Sequence, residues 1–197
     1  MSPWEGSCMG EKIRCGWVPL NKPTYVAYHD EEWGVPVRDD QKMFEFLILE
    51  SFQAGLSWEI VLNKRENFRN AFANFDFNKV ALFDEDKVQA LLQDKGIVRN
   101  QLKIRAAINN AQRYLEIIDE FGSFCNYFWG FSNGNPITNE FRVLGDIPAS
   151  TELSNTIAKD LKKRGFKFLG TTVVYAHMQA VGMVNDHLKE CFRYSEV

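Results

Sequence analysis

The chain has 197 residues, of which 45% are hydrophobic and 25% charged, with a formal net charge of −3. This length allows one medium domain or two small ones that share a core, and 16 Phe, 6 Tyr and 5 Trp exclude a disordered chain. The apolar runs, such as residues 173–176, are far shorter than the roughly 18 residues of a membrane-spanning helix. The acidic balance argues weakly against indiscriminate nucleic-acid binding but leaves room for a local basic surface.

The N-terminal segment, residues 1–13, is polar and lacks hydrophobic periodicity, which predicts a flexible extension. It has neither the basic start nor the apolar stretch of a secretory signal. The chain carries four cysteines, Cys8, Cys15, Cys125 and Cys191, which are too sparse and irregular for a disulfide framework. We therefore expect a reducing, cytoplasmic location.

Residues 14–38 interleave prolines and glycines with large aromatic side chains. Prolines and glycines at this density disrupt helices, whereas the aromatic residues need a surface to pack against. The pattern predicts an ordered but irregular segment that packs on the domain.

The rest of the chain predicts an all-α fold, because apolar residues recur at helical spacing behind capping residues. Loops are expected at Gly122 and at residues 134–136, and only Phe166–Leu169 resembles a strand. The last helix is the most apolar and is predicted to be the central core helix. The expected helices begin at Asp39 or Asp40 (Met43, Phe44, Leu47), at Ser57 (Ile60, Val61, Phe68, Phe72), at Asp84 (Val88, Leu91, Leu92), after a turn at Lys95-Gly96-Ile97 (Ile104, Ile108, Ala111, Leu115, Ile118), at Ser150 or Thr151 (Leu153, Ile157, Leu161), and at Thr171 or Thr172, running to about Val181.

Cysteines and histidines occur at both ends of the domain. Cys15 and His29 lie in the irregular segment, and His187 and Cys191 are four residues apart, a spacing that places both on one face of a helical turn. Together they supply the thiolate and imidazole ligands of a four-coordinate zinc site, which would fasten the two ends together. The alternative on spacing alone is two buried thiols and two surface histidines.

Glu50 ends an apolar helical run and precedes Gln53, Gly55 and Trp58. A carboxylate in this position is either a solvated charge at a helix end or a buried functional acid. Burying a carboxylate without donors is costly, so a buried one is usually retained for a ligand or partner.

Aromatic side chains cluster in the same region, at Trp17, Tyr25, Tyr28, Trp33 and Trp58. Aromatic residues usually belong to the core. In a segment rich in glycine and proline they can instead form a slot that stacks on a planar ring, with added attraction when that ring is cationic.

A basic run occupies residues 162–167, and Arg99, Lys103 and Arg105 follow the predicted hairpin turn. Such a run is usually a solvated surface. Gly165 and the helix start near Thr171 also suit contacts with phosphate groups.

Several blocks of the sequence resemble the 3-methyladenine DNA glycosylase I family. The resemblance extends from Arg14 to about Cys191, nearly the whole chain. Here the family's glycine after its conserved acid is Ser51, and one residue is inserted between Trp17 and Tyr25. The matching blocks are Arg14–Trp17, Tyr28–Pro36, Leu49–Glu50, Gln53–Trp58, Lys64–Asn67, Lys162–Phe168, Gly170–Thr172 and Val184–His187.

The resemblance implies a helix-hairpin-helix DNA glycosylase fold, with residues 14–197 as one domain of two helical lobes. It also implies a structural Zn²⁺ that ties the termini together and a hairpin at Lys95-Gly96-Ile97. The resemblance implies zinc ligation by Cys15, His29, His187 and Cys191. It implies that Glu50 is the catalytic residue and recognises the base. The implied pocket is formed by Trp17, Tyr25, Tyr28 and Trp58, with Trp33 beside it.

The implied activity is hydrolysis of the N-glycosidic bond of 3-methyladenine in alkylated double-stranded DNA. The base flips into the aromatic pocket, and free 3-methyladenine and an abasic site result. A monomer without membrane contacts is expected, with the acids of residues 30–32 and 84–86 away from DNA. The candidate DNA contacts are Gly55, Leu56 and Ser57, which fill the gap in the duplex, together with Lys95, Gly96, Lys162, Arg164 and Lys167.

Two other readings stay open. One is a non-catalytic zinc module that binds damaged DNA, which would not need Glu50 and the aromatic set. The other is a purely structural zinc-binding helical domain, which would not prefer damaged DNA at any salt concentration.

Overall fold

The computed structural model describes residues 12–197, so Cys8 and most of the predicted 1–13 extension lie outside the described residues. Over this range the chain is mostly helical, although two short strands depart from the predicted all-α fold. None of the described helices is long and apolar enough to cross a bilayer. The α-helices are α1 (Pro23–Ala27), α2 (Asp40–Gln53), α3 (Trp58–Asn63), α4 (Arg65–Ala71), α5 (Phe77–Val80), α6 (Glu85–Gln93), α7 (Gln101–Phe121), α8 (Phe124–Gly130), α9 (Glu152–Lys163) and α10 (Thr171–Ala180). Two short strands, β1 (Ile137–Thr138) and β2 (Val184–Asn185), pair in parallel, with Ile137 opposite Val184.

Local side-chain capping explains three of the predicted helix starts, whereas the predicted cap Ser57 makes no side-chain hydrogen bond at the start of α3. The side chain of Asp39 accepts a hydrogen bond from the Lys42 amide at the start of α2, and Asp84 does the same at the start of α6. At the start of α9, Thr151 and Ser154 form a reciprocal capping box. Each cap satisfies amides that the first helical turn leaves free.

The central helix is α2, and the prediction that the last helix holds this place is wrong. Residues 43–52 are buried without interruption, because α2 is packed by α7, α8 and α10. Helix α10 packs on α2 and α9 and keeps Ala176 and Gln179 only half-buried, facing a cavity.

The helix predicted from Ser57 through Phe72 is two helices. Lys64 adopts φ −97° and ψ 1° between α3 and α4 and so breaks the helical path. Ile60, predicted to belong to the core, lies on the surface of α3 with 40% of its area exposed. Val61, Phe68 and Phe72 are buried as predicted.

Several short elements differ from the sequence prediction. The segment 14–38 contains α1 and a π-helix over Tyr28–Glu32, because Pro23 occupies the first turn of α1, where its missing amide hydrogen costs nothing. Helix α8 was not predicted, since its run of aromatic residues shows no polar face; Phe124 stacks on Tyr114 with centroids 4.0 Å apart. Phe168 has φ +58°, which excludes the expected strand at 166–169.

The predicted turn at Lys95-Gly96-Ile97 joins α6 to α7. Lys64 Nζ donates hydrogen bonds to the carbonyls of Lys95 and Gly96, at 3.0 and 3.2 Å. A Cβ atom at Gly96 would lie 3.1 Å from the Asn67 Cβ. Glycine therefore allows the turn to pack closely against α4.

Candidate functional site

A cavity of about 430 Å³ opens between α2, α3 and α10. The five side chains predicted to form a base pocket all line it, and so does Trp33 of the predicted aromatic cluster. Leu144, Ile147, Ala176 and Gln179 were not predicted, because they lie more than 80 residues from Glu50 in the chain. The full lining is Trp17, Tyr25, Tyr28, Trp33, Glu50, Gln53, Trp58, Leu144, Ile147, Ala176 and Gln179.

Glu50 is the acidic residue of this cavity. It lies in the last turn of α2 and is only 4% exposed. No described residue donates a hydrogen bond to its carboxyl group, although it borders the cavity. Burial raises the pKa of Glu50 from 4.5 to about 8. The free protein thus holds an acid whose polar atoms await a ligand.

Glu45, one turn earlier on α2, is the informative contrast. It is also buried, but Arg65 Nε donates to its Oε1 at 2.7 Å and Arg69 Nε donates to the same atom at 2.9 Å. Glu45 is therefore a paired structural acid. Of these two buried acids on α2, Glu45 is paired and Glu50 is not.

The cavity walls are aromatic. Tyr28 and Trp58 face each other with ring centroids 5.2 Å apart and an interplanar angle of 43°. Trp17 meets Trp33 edge-on at 4.9 Å and Tyr25 at 5.8 Å. Burial, followed by the nearby Glu50 charge, raises the pKa of Tyr28 and keeps its phenol neutral. These rings offer electron-rich faces to a planar or cationic guest.

The four predicted ligands, Cys15, His29, His187 and Cys191, form one buried cluster. Their ligand atoms all lie within 4.8 Å of one another. The Cys15 Sγ and Cys191 Sγ atoms are 3.6 and 3.5 Å from His187 Nδ1, and Cys191 Sγ is 3.5 Å from His29 Nε2. Tetrahedral zinc places sulfur and nitrogen ligands about 3.5 Å apart. The cluster therefore has the donor set and spacing of a metal site.

Outer hydrogen bonds orient both imidazole rings. His29 Nδ1 lies 2.8 Å from Asp30 Oδ1, and Arg14 donates hydrogen bonds to the same carboxylate from Nε and Nη2. Burial alone would raise the pKa of Asp30, but the bonds from Arg14 and His29 lower it, so the carboxylate stays charged. His187 Nε2 lies 3.0 Å from the Trp33 carbonyl. In both rings the other nitrogen is left for a metal, as metal-binding histidines require.

The cluster lies directly behind the cavity. Trp33 lines the cavity, and its ring packs edge-on against His187 with centroids 4.6 Å apart. The Trp17 ring contacts His29 at 5.2 Å. The termini are also joined here, because the Phe192 amide donates to the Ile13 carbonyl at 2.9 Å. The predicted extension is therefore attached at its last residue.

The candidate wedge loop, Gly55, Leu56 and Ser57, follows α2 and borders the cavity residue Trp58. Gly55 has φ +80°, and Leu56 is 36% exposed.

Lys103, predicted to belong to a basic surface, is instead buried. Its Nζ donates to the carbonyls of Phe52 and Ala54, at 2.8 and 2.5 Å. Lys103 thus fixes the end of α2 rather than facing solvent.

The predicted basic surface is smaller than its charge suggests. Lys95, Lys162 and Lys167 are exposed and have no acidic partner within residues 12–197. In contrast, Arg164 pairs with Glu120 and Asp160, and Arg105 pairs with Glu85. Glu85, one of the acids expected to lie away from DNA, is therefore next to a basic side chain that follows the hairpin turn.

Buried Asn110 shapes the loop that carries Lys167. Its Nδ2 donates to the Lys167 carbonyl at 2.9 Å, and its Oδ1 accepts from the Lys167 amide at 2.8 Å. Asn109 Nδ2 donates to the Gly165 carbonyl at 2.9 Å. Asparagine side chains on α7 therefore fix the backbone of residues 165–167, which sequence spacing did not reveal.

Known proteins resemble this chain over nearly its whole length. A family model described as methyladenine glycosylase matches residues 17–194. The DNA-3-methyladenine glycosylase 1 of Escherichia coli (strain K12) is 50% identical over 181 residues, which are 92% of this chain and 96% of that protein. A crystal structure of a 3-methyladenine DNA glycosylase I is similar with a TM-score of 0.87 at 49% identity, covering 91% of this chain and 98% of that one. A tyrosine-to-phenylalanine variant of such an enzyme, in complex with 3-methyladenine, has a TM-score of 0.85 at 37% identity, covering 87% and 92%. The chain belongs to the methyladenine glycosylase family.

Proposed function

We propose that this protein excises 3-methyladenine from alkylated DNA and so starts base-excision repair. The observation that carries the proposal is the buried, unpartnered Glu50 beside an aromatic cavity large enough for a flipped purine. Its relatives are named for this reaction. Glycosylases must take the target base out of the stack before they can act on it.

The cavity chemistry fits a cationic leaving group. Methylation at adenine N3 gives the base a positive charge and weakens its glycosidic bond. The rings of Tyr28, Trp58 and Trp17 can stack on this cation, and Glu50 can accept hydrogen bonds from the adenine edge. A positive charge beside Glu50 favours its carboxylate form, because an opposite charge offsets the cost of burial. The bound base and the ionised acid thus stabilise each other.

The proposed product is an abasic site with an intact backbone. Enzymes that go on to cut the strand use an amine to form a Schiff base with the sugar. No lysine is among the cavity-lining side chains of the described chain. Lys103, which lies behind the end of α2, already donates to two carbonyls. Water is therefore the proposed final acceptor of the sugar.

We infer that the Cys15, His29, His187 and Cys191 cluster holds a structural Zn²⁺. The cluster supplies two thiol and two imidazole groups, a donor set that zinc prefers. Four protein ligands leave no open position for substrate, and the ion would crosslink the two ends of the domain. We expect one zinc per chain by elemental analysis. A metal-free preparation with unchanged stability would contradict this role.

The proposed DNA interface combines the wedge loop with exposed basic side chains. Leu56 is the exposed apolar side chain of the wedge loop, which suits insertion where the base has left the stack. The Lys95–Gly96 turn, Lys162 and Lys167 are proposed to contact phosphates. Arg164 is proposed to do so only after releasing Glu120 or Asp160. Replacing Lys162 with Gln should reduce the salt dependence of DNA binding by about one phosphate contact.

A monomer in a reducing, cytoplasmic compartment remains part of the proposal. The buried thiols of Cys15, Cys125 and Cys191 are all free of disulfide bonds, which supports this setting. Gel filtration at micromolar concentration tests the monomer, since a dimer elutes earlier.

The test of the activity is release of free base from methylated duplex DNA. The wild-type protein should release 3-methyladenine well above the spontaneous rate. If it binds abasic or methylated DNA but releases no base, the chain is instead a damage-binding zinc module. If it does neither at low salt, the domain is purely structural.

A further inference from the structure

Gln179 is a polar cavity residue to which the proposed reaction has given no task. It lies in the last turn of α10 and borders the same cavity as Glu50. Its backbone carbonyl accepts a hydrogen bond from the Gly34 amide at 3.1 Å, which fixes its position against the segment that carries Trp33. The residue is half-buried, so its side chain bridges the protein interior and the cavity.

The side-chain amide of Gln179 is oriented by Asp186. Gln179 Nε2 donates to Asp186 Oδ2 at 2.8 Å. Asp186 is fully buried and also accepts from the Tyr175 hydroxyl and Asn139 Nδ2, each at 2.6 Å. The other group is the donor in all three contacts, so the carboxyl oxygens of Asp186 accept each time. The amide nitrogen must therefore point to Asp186, and the amide oxygen is left over.

We propose that Gln179 is a specificity-determining residue, whose amide oxygen is held toward the cavity as a fixed acceptor for the 6-amino group of the methylated purine. This proposal rests on the proposed function and deepens it. An exocyclic amino group carries two hydrogens, so Glu50 and Gln179 can each accept one. A 6-oxo purine, such as 3-methylguanine, brings an acceptor to the same place and leaves the Gln179 oxygen unpaired.

Gln179 differs from Glu50 because the group it presents to the cavity cannot switch from hydrogen-bond acceptor to donor. Because burial raises the pKa of Glu50 to about 8, its carboxyl can gain or lose a proton near neutral pH, so its hydrogen-bonding character is not fixed. The Gln179 amide cannot rotate to present its N–H to the cavity while the nitrogen donates to Asp186. Rejection of 6-oxo purines is therefore assigned to Gln179, and charge recognition to Glu50.

The test compares two bases in the same assay. Duplex DNA treated with a methylating agent contains both 3-methyladenine and 3-methylguanine, and each freed base is measured by chromatography. Gln179→Met keeps the side-chain length and removes both polar atoms. We expect it to release 3-methyladenine at least tenfold more slowly while 3-methylguanine release is unchanged or faster, so the selectivity ratio falls at least tenfold. Equal losses for both bases would overturn the proposal.

The matched control is Tyr175→Phe, which removes another donor from the same Asp186 oxygen and leaves the Gln179 amide in place. Its selectivity ratio should stay at the wild-type value. A ratio that falls as far as in Gln179→Met would show that loosening of Asp186, not the amide oxygen, sets selectivity. If Gln179→Met fails to fold, Gln179→Asn withdraws the oxygen by one methylene and should lower the ratio in the same direction.

Binding of the free bases separates this proposal from the proposed function. Tryptophan fluorescence reports a ligand in the cavity, since Trp17, Trp33 and Trp58 line it. If the wild type releases no base, the excision proposal fails, but a preference for free 3-methyladenine over free 3-methylguanine that Gln179→Met abolishes still supports the Gln179 assignment. Equal binding of both bases by the wild type would refute it.

Discussion

Replacing Glu50 with Gln should stabilise the protein at alkaline pH. The substitution keeps the size of the side chain and removes its charge. Burial raises the pKa of Glu50 from 4.5 to about 8 in the folded protein. Between these values the folded state holds a proton that the unfolded state has lost. The free energy of unfolding of the wild type therefore falls as pH rises through this window, and Glu50→Gln abolishes that contribution.

The magnitude follows from the width of the window. A tenfold change in proton affinity corresponds to about 1.4 kcal/mol. The ionisation of Glu50 thus costs the wild type about 4 kcal/mol more at pH 9 than at pH 5. Other groups titrate in both proteins alike, so they cancel when the variant is compared with the wild type at each pH. The advantage of Glu50→Gln should grow by this amount.

Urea unfolding followed by circular dichroism at pH 5 and pH 9 measures the effect. Glu59→Gln is the control, because Glu59 is a partly exposed acid on the neighbouring helix, paired with Lys22. It should change the unfolding free energy by less than about 1 kcal/mol at both pH values. An advantage of Glu50→Gln that does not change with pH would refute the reasoning, since Glu50 would then ionise as it does in water.

Three further predictions concern residues around the site. Lys103→Met removes the donor to the Phe52 and Ala54 carbonyls, so base release should slow about tenfold. The salt dependence of DNA binding should not change. A reduced salt dependence would mean that Lys103 contacts phosphate. Gly182→Ala should cost about 3 kcal/mol in urea unfolding, because its Cβ would lie 2.5 Å from the Pro36 nitrogen at φ +70°; Gly134→Ala, at φ +79° with open space around it, should cost only about 1 kcal/mol, and equal losses would contradict the steric argument. Burial lowers the pKa of His177 to about 3, so the unfolded state takes up a proton first as pH falls below 6.5. The unfolding free energy of the wild type should therefore fall by about 3 kcal/mol by pH 4. His177→Leu should abolish this fall, and an unchanged acid sensitivity would show that other groups cause it.

Capping explains why three of the longer helices could be placed from the sequence. Asp39, Asp84 and Thr151 each bond amides within three residues, so their effect is visible in a short stretch of sequence. The central position of α2 was not predictable in this way. Its burial depends on α7, α8 and α10 packing around it, and the apolar residues of α10 gave the stronger local signal.

The candidate site was predictable in residue type but not in pairing. Glu45 and Glu50 look alike in sequence, since both lie in the same apolar helix. Arg65 and Arg69, which neutralise Glu45, are 20 and 24 residues away. The burial of Lys103 was not predictable for the same reason, because its partners, the Phe52 and Ala54 carbonyls, are 51 and 49 residues away in the chain. Long-range partners decide whether a charged side chain is structural or free for a ligand.

The orientation of the Gln179 side chain is the clearest example of a feature that the sequence pattern does not predict. The side chain is ordinary in sequence, on a helix predicted to be pure core. Its importance comes from Asp186, which itself depends on Asn139 and Tyr175 from other parts of the fold. Such a network has no sequence pattern of its own.

The central claim is that Glu50, in the aromatic cavity, carries the excision of 3-methyladenine. Single-turnover release of free 3-methyladenine from methylated duplex DNA tests it, with wild type, Glu50→Gln and Glu59→Gln compared at equal folded concentration. Rapid release is expected from the wild type and from Glu59→Gln, and release at least about 100-fold slower from Glu50→Gln. Release by Glu50→Gln at the wild-type rate would contradict the account.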